Sequence, residues 1–226
     1  MTTRIYALML LLFALTLNAE EFNCDFTPEG WKAEEWILVK SPRWEHFGGW
    51  IQAKDHITNQ VPDGATAEEM LGKKAAETYT SMLWGKKISA KKKVVIKSEM
   101  SFDQRMAPLL VIAPEYGQDV QGRPEYRQHW EIVLYDEGLN VWHHNMKDGK
   151  PCWYKAGYLK TTYQPKEKLL VTVSITYPGG DRHPIIEVEC GGQSFGYSEI
   201  ALPKDFYVGL TGCEGVNRFY NFSVSY

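Results

Sequence analysis

The stretch Trp130-Glu131-Ile132-Val133-Leu134-Tyr135-Asp136, or WEIVLYD, has the two-residue alternation of a β-strand. Successive side chains of a strand point to opposite faces, so Trp130, Ile132 and Leu134 share one face. That face is apolar and belongs in a hydrophobic core. Glu131 and Tyr135 lie on the other face, which is free to carry polar chemistry. The stretch therefore predicts a strand that separates the core from a candidate functional surface.

Strand patterns dominate the rest of the chain. They are rich in Val, Ile, Tyr and Trp and are separated by clusters of Gly, Pro, Asp and Asn. The predicted strands cover residues 35–40, 79–84, 93–102, 109–113, 129–135, 139–144, 169–177, 185–190, 207–211 and 218–225. Many short strands joined by turns predict an all-β fold, an antiparallel two-sheet β-sandwich of the jelly-roll type.

One segment departs from the strand pattern. Thr66-Ala67-Glu68-Glu69 has the form of a capping box, and good helix formers continue to Glu77. The sequence therefore predicts one short surface helix over residues 67–77. No linker, internal repeat or low-complexity tract is visible, so residues 20–226 are expected to form a single domain.

The N-terminus has the organisation of a secretory signal peptide. Arg4 supplies the positive charge, and residues 5–17 form an apolar run that is shorter than the about 20 residues of a membrane span. Leu17-Asn18-Ala19 then offers a small residue for cleavage. We expect a signal peptide over residues 1–19 and a secreted or periplasmic protein that begins near Glu20.

The amino-acid composition argues against some classes of binding partner. Of the 226 residues, 44% are hydrophobic and 23% are charged, which is ordinary for a globular protein with a substantial core. The formal net charge of −3 argues against general nucleic-acid binding, which requires a strongly basic surface. After the leader, no segment is apolar enough to predict a membrane span.

The cysteines form an even set, Cys24, Cys152, Cys190 and Cys213. Export would place them in an oxidising compartment, where three pairings are possible. No pair has CxxC spacing, which argues against zinc-ribbon and thioredoxin-type chemistry. We expect at least one disulfide, with Cys190 and Cys213 preferred because they flank the same late strands.

The strand face opposite the core carries the best candidate site. Arg127, His129 and Glu131 lie on it within about 13 Å, at 3.2–3.4 Å per residue. An acid–base pair beside aromatic side chains suits glycan chemistry, with Glu131 and His129 as catalytic groups and Arg127 as a substrate contact. The other expected substrate contacts are aromatic and imidazole side chains, namely Tyr135, Trp142, His144 and Tyr158.

The pattern does not predict a dedicated metal site. His143 and His144 are adjacent, so their side chains point to opposite faces and cannot hold one ion together. No carboxylate cluster has the spacing of a calcium loop. No cofactor is therefore evident, although backbone oxygens could hold a structural calcium ion.

Two short motifs suggest other enzymes. Gly192-Gln193-Ser194-Phe195-Gly196 has G-x-S-x-G form, but a nucleophile elbow needs a helix after the serine, whereas this one lies between two strand patterns. A hairpin turn explains its glycines. Residues 153–160, WYKAGYLK, resemble the YFKAGVYNQ signature of the jelly-roll alginate lyases. That resemblance implies β-elimination on a uronic-acid polymer, with Arg127 neutralising the carboxylate and His129 or Tyr158 removing the proton.

A broader resemblance covers most of the chain after the leader. WEIVLYD resembles the YEVQILD strand of the concanavalin A-like 3-keto-disaccharide hydrolase-like secreted proteins. Residues 207–210 and 218–224 resemble their glycine-led strand and closing FRNIRI strand. The resemblance implies a concanavalin A-like sandwich and a saccharide partner. In place of the glutamine of YEVQ this chain has Val133, so the hydrolytic residues do not carry over.

Three functions remain open. The protein binds a glycan and hydrolyses it, binds a glycan as a non-catalytic module, or cleaves a uronic-acid polymer by β-elimination. Each places the polysaccharide or oligosaccharide on the face that carries Glu131.

Overall fold

The structure is a computed structural model that describes residues 19–44, 48–61, 79–104 and 107–226. Within these ranges the chain forms seventeen strands and a 3-10 turn at Ala33–Glu35. The strands are β1 Glu21–Cys24, β2 Trp36–Leu38, β3 Trp50–Gln52, β4 Ile57–Asn59, β5 Tyr79–Trp84, β6 Ile88–Ser89, β7 Lys93–Phe102, β8 Pro108–Gln118, β9 Pro124–Tyr135, β10 Gly138–Lys147, β11 Lys150–Lys160, β12 Leu169–Thr176, β13 Ile185–Cys190, β14 Gln193–Ser198, β15 Asp205–Cys213, β16 Asn217–Phe219 and β17 Phe222–Ser225.

The strands form two antiparallel sheets. One has nine strands, with the order β14-β13-β12-β7-β16-β4-β3, and β17 joins β1 to β7 in the same sheet. The other has eight strands, with the order β11-β10-β9-β8-β15-β5-β2, and β6 pairs with β15. The prediction of an all-β two-sheet sandwich is confirmed. The predicted helix over 67–77 and the predicted leader up to Asn18 lie outside the described residues.

The main core lies between the two sheets. The alternate positions Trp130, Ile132 and Leu134 of β9 are buried in it, together with Val171 and Val173 of β12. The apolar alternation read from WEIVLYD therefore places this strand as predicted. Among the described residues, no helix is long and apolar enough to cross a bilayer.

A second, smaller cluster covers the outer face of the eight-stranded sheet. It uses the positions of the strands that point away from the main core, such as Leu109, Val111 and Val133. Val39 belongs to the same cluster, and its backbone N–H donates to the carbonyl of Ser81. The sandwich therefore has apolar material on an outer face, which provides walls for a pocket there.

The cysteines correct the expectation of a disulfide. All four lie in described residues, and no disulfide joins any two of them. Cys190 ends β13 of the nine-stranded sheet, whereas Cys213 ends β15 of the eight-stranded sheet. Nearness to the same late strands in sequence does not bring the two thiols together, because the chain crosses from one sheet to the other between β14 and β15.

The burial of these cysteines gives a labelling prediction. Cys152 is exposed and the other three are buried, and burial raises the pKa of Cys190 to about 11. Since the thiolate is the reactive form, the native protein should react at Cys152 alone with a thiol-specific chromogenic reagent, without reductant. After denaturation, all four thiols should react. Fewer than four reactive thiols under denaturing conditions would support the predicted disulfide instead.

Candidate functional site

A pocket of about 260 Å³ opens on the outer face of the eight-stranded sheet. Five of its thirteen lining residues are aromatic, and its polar lining groups include two carboxylates and one guanidinium. Small and aliphatic side chains complete the lining. The residues are Trp44, Tyr79, Tyr135, Trp142 and Trp153; Arg43, Glu131, Asn140 and Glu214; and Ala107, Leu109, Val133 and Cys213.

Two tight hairpins set the register beneath this pocket. Tyr135 pairs with Gly138 across the β9–β10 turn, and Gly138 has φ +138°, a region that side chains with a Cβ rarely adopt. The β10–β11 turn uses Asp148-Gly149, both with positive φ, the residue pair that such two-residue hairpins prefer. These turns place His129, His144 and Trp153 side by side on three neighbouring strands.

The Glu131 carboxylate is the centre of the polar contacts. The Tyr79 hydroxyl donates to Glu131 Oε1 at 2.8 Å, and His129 Nε2 lies 3.1 Å from the same oxygen. His144 Nε2 lies 2.9 Å from Oε2. Glu131 is only 7% exposed, and the imidazoles of His129 and His144 are 1% and 5% exposed. A buried carboxylate is stable only when such partners replace water.

Burial and these partners set the protonation of the centre. Burial alone would raise the pKa of Glu131, but His144 and the hydrogen bond from His129 outweigh it, so the pKa lies well below its usual range. Burial lowers the pKa of His129 to about 4, which its contact with Glu131 only partly offsets. At neutral pH the centre therefore contains a carboxylate and a neutral His129.

A ladder of stacked rings runs outward from this centre. Tyr126 stacks on His129 at 4.3 Å between ring centroids, His129 on His144 at 4.5 Å, and His144 on Trp153 at 6.4 Å. The Arg43 guanidinium lies 3.8 Å above the Trp153 ring and closes the ladder. The packing fixes the orientation of both imidazoles relative to the pocket.

The structure brings together five of the predicted site residues. His129, Glu131 and His144 form the buried centre, and Tyr135 and Trp142 line the pocket above it. Trp142 pairs directly with Glu131 across β9 and β10. The sequence alternation predicted the shared face of His129, Glu131 and Tyr135, whereas the pairing of β10 with β9 brings Trp142 and His144 to it.

Two predicted residues lie elsewhere. Arg127 binds Glu125 at 2.7 Å and the Gln118 carbonyl at 2.6 Å, in a separate groove at the far end of β9. Tyr158 is exposed and lies opposite Asn140, with Lys155 Nζ 4.5 Å from the centroid of its ring. Arg127 is therefore held by local partners, and Tyr158 stands at the edge of the site, outside the pocket lining.

Four pocket residues carry no sequence signal of a site. Tyr79 and Glu214 come from β5 and the loop after β15, and Arg43 and Trp44 come from the segment after β2. Each lies far from WEIVLYD in sequence, and only the order of the strands in the sheet brings them to it. Glu214 has φ +52°, a left-handed conformation that is uncommon outside glycine.

The paired histidines face opposite ways, as predicted. His143 stacks on the core-facing Trp130 at 4.3 Å and shares a hydrogen bond with the Tyr154 hydroxyl. His144 points to the outer face, where its partner is His129 of the neighbouring strand. The expectation of no dedicated metal site rested on the adjacent histidines and on the spacing of carboxylates and cysteines along the chain, whereas strand pairing brings three ligand atoms of His129, Glu131 and His144 within 4.8 Å of one another. These three side chains could hold a metal ion.

The comparisons show the fold. Neither a protein-family model nor a curated protein sequence matches the chain. The carbohydrate binding module CBM66 from Bacillus subtilis has a similar structure, with a TM-score of 0.55, 11% identity, and 85% of this chain and 96% of that chain covered. Winged bean acidic lectin complexed with methyl-α-D-galactose gives a TM-score of 0.52 and 13% identity, over 92% and 98% of the two chains. The carbohydrate recognition domain of Emp47p gives 0.53 and 9%, over 92% and 96%. This chain shares their concanavalin A-like sandwich.

The Tyr79 hydrogen bond gives a stability prediction. Tyr79→Phe keeps the ring but removes the O–H that donates to the buried Glu131, so the folded state should lose about 1–3 kcal/mol. Urea unfolding of the variant and the native protein measures this difference. Tyr158→Phe is the matched control, since that ring is exposed, and its effect should stay within about 0.5 kcal/mol. Equal stability of the Tyr79 variant and the native protein would contradict the assigned contact.

Proposed function

We propose that this protein is a carbohydrate-active protein that binds a saccharide in the pocket above Glu131. The fold supports the proposal, since the similar structures include a carbohydrate binding module, a lectin with a bound galactoside and a carbohydrate recognition domain. The aromatic walls support it independently. Flat rings such as Trp142 and Trp153 pack against the apolar faces of sugar rings, while polar side chains bind their hydroxyls.

The observation that carries the proposal further is the buried carboxylate at the pocket. Binding alone needs no carboxylate that is almost fully buried among two imidazoles and a phenol. We therefore propose turnover, with Glu131 and His129 at the reacting centre as the sequence suggested. Glu214 lines the same pocket and supplies a second carboxylate, and glycoside hydrolysis uses such pairs. Hydrolysis is the reaction that this pocket supports best.

A specific observation favours β-elimination as the second candidate. The Arg43 guanidinium stands over Trp153 at the pocket, and Lys155 Nζ lies 5.9 Å from the centroid of the Trp142 ring. Two cations beside the pocket would suit the carboxylate of a uronic acid. In a β-elimination mechanism, Arg43 would neutralise the carboxylate of the uronic acid, the role that the sequence pattern suggested for Arg127.

Export belongs to the proposal as well. A secreted or periplasmic protein with its leader removed near Ala19 would meet polysaccharides directly. N-terminal sequencing of the protein recovered from its native host would test this, with Glu20 as the expected first residue.

A product assay separates the three functions. The protein is incubated with neutral polysaccharides, polygalacturonate, alginate and a set of disaccharides, and products are followed by new reducing ends and by ultraviolet absorbance. New reducing ends without absorbance indicate hydrolysis, and absorbance of an unsaturated product indicates elimination. Retention on an immobilised glycan without products indicates a binding module.

Glu131→Gln tests the site within the same assay. The substitution keeps the shape of the side chain and removes its charge, so turnover should fall by at least about 100-fold. Glu189→Gln is the matched control, because Glu189 is exposed on the nine-stranded sheet, and it should retain full activity. Circular dichroism and thermal melting confirm that both variants fold. Full activity of a folded Glu131→Gln variant would show that the reacting centre lies elsewhere.

A further inference from the structure

We propose that His129, Glu131 and His144 form a binding site for a divalent transition-metal ion such as zinc. Their ligand atoms lie within 4.8 Å of one another. The Nε2 atoms of His129 and His144 are 3.1 and 2.9 Å from the two oxygens of the Glu131 carboxylate. For its role in turnover the inference rests on the proposed function, in which Glu131 and His129 would then act at the reacting centre as ligands of the ion. Metal binding itself does not depend on a saccharide.

The strand register explains why three distant residues meet. His129 and Glu131 are two residues apart on β9, so their side chains leave the same face. His144 lies directly opposite His129 on β10. Two ligands from one strand and a third from its neighbour give a cluster whose geometry depends on rigid strands and short turns. Metal ligands on rigid strands are positioned more precisely than ligands on loops.

The donor set selects the class of ion. Two imidazoles and one carboxylate are a ligand set of catalytic zinc sites, which keep a further coordination position open. Calcium instead takes six to eight oxygen ligands, so this site disfavours it. Among first-row divalent ions, such mixed nitrogen and oxygen sites favour those late in the series, including zinc.

The unsatisfied groups of the cluster point to the same conclusion. His144 Nε2 is buried and makes no aligned hydrogen bond, despite its closeness to Glu131 Oε2. Among the described residues, neither a lysine nor an arginine forms an ion pair with Glu131. A buried nitrogen without an aligned partner is costly, and a bound cation would accept its lone pair and add a positive charge beside the carboxylate.

The surroundings suit a bound ion. The Tyr79 hydroxyl donates to Oε1 and so orients the carboxylate, which is the supporting contact that metal ligands usually receive. Glu131 also lines the pocket, so a saccharide or water molecule there could reach the ion. Glu214 lines the same pocket.

Metal binding is tested on the full protein without any saccharide. The protein is stripped with a chelator, dialysed and titrated with zinc chloride by calorimetry, and cobalt chloride serves as a spectroscopic probe. We expect a single zinc ion per chain, a raised melting temperature and visible cobalt absorption of a low-coordinate nitrogen–oxygen site. Calcium chloride should give no comparable heat. Absence of zinc binding at a tenfold excess of metal would overturn the proposal.

Variants assign the ion to the cluster. His144→Gln should weaken zinc binding by more than about 100-fold, since losing a ligand should exceed the about 10–100-fold effect of losing a supporting contact. His183→Gln is the matched control, because His183 is exposed on a loop far along the chain, and its zinc affinity should be unchanged. Cobalt spectra of a second variant, His129→Gln, test the cluster independently if the first variant misfolds. Unchanged zinc affinity in both cluster variants would place the ion elsewhere and overturn the assignment.

The same samples distinguish this inference from the proposed function. Glycan retention is measured with the stripped and the zinc-loaded protein. Retention by a protein that binds no zinc would reject the metal site and leave the saccharide site standing. Zinc binding without retention on any glycan would reject the saccharide site and leave the metal site standing.

Discussion

The burial of the Glu131 carboxylate is the constraint on which the site depends. A carboxylate that is only 7% exposed must exchange its water for protein donors or for a cation, because an unpaired buried charge is prohibitively unfavourable. Tyr79, His129 and His144 meet this requirement from three different strands. Their positions are fixed by the sheet, so the carboxylate and the sheet stabilise one another. A site with this arrangement is rigid before any ligand arrives, which lowers the entropy lost on binding.

The sandwich supplies this rigidity through its turns. Gly138 and the Asp148-Gly149 pair close two hairpins with very short loops. A one-residue slip in the first would turn His144 towards the core, and a slip in the second would turn Trp153 off the outer face. The apolar cluster on the outer face then walls the pocket, so aromatic side chains and a buried polar centre lie together. The outer face of the eight-stranded sheet differs in this respect from the outer face of the nine-stranded sheet, where Glu187 and Glu189 are exposed to solvent.

The sequence predicted the parts of the molecule that depend on local patterns. Alternation identified strands such as β7, β9, β10 and β12 and placed Glu131 and His129 on the face away from the core, but it did not predict β11, which carries Trp153. It could not predict which strands are neighbours, because hydrogen bonding between distant strands leaves no local pattern. For that reason Tyr79, Arg43 and Glu214 were missed, the His129–His144 pair was not foreseen, and Cys190 and Cys213 were expected to meet although they lie in different sheets. Arg127 shares the correct alternation, but β9 is long enough that its side chain reaches a different groove.

The most direct test is a crystal structure of the protein soaked with a mixture of neutral and acidic oligosaccharides. We predict sugar density on the outer face of the eight-stranded sheet, against Trp142 and Trp153, with a hydroxyl or ring substituent within hydrogen-bonding distance of the centre formed by Glu131. Density confined to the nine-stranded sheet near Glu187 and Glu189, or to the groove that holds Arg127, would contradict this account of the functional site.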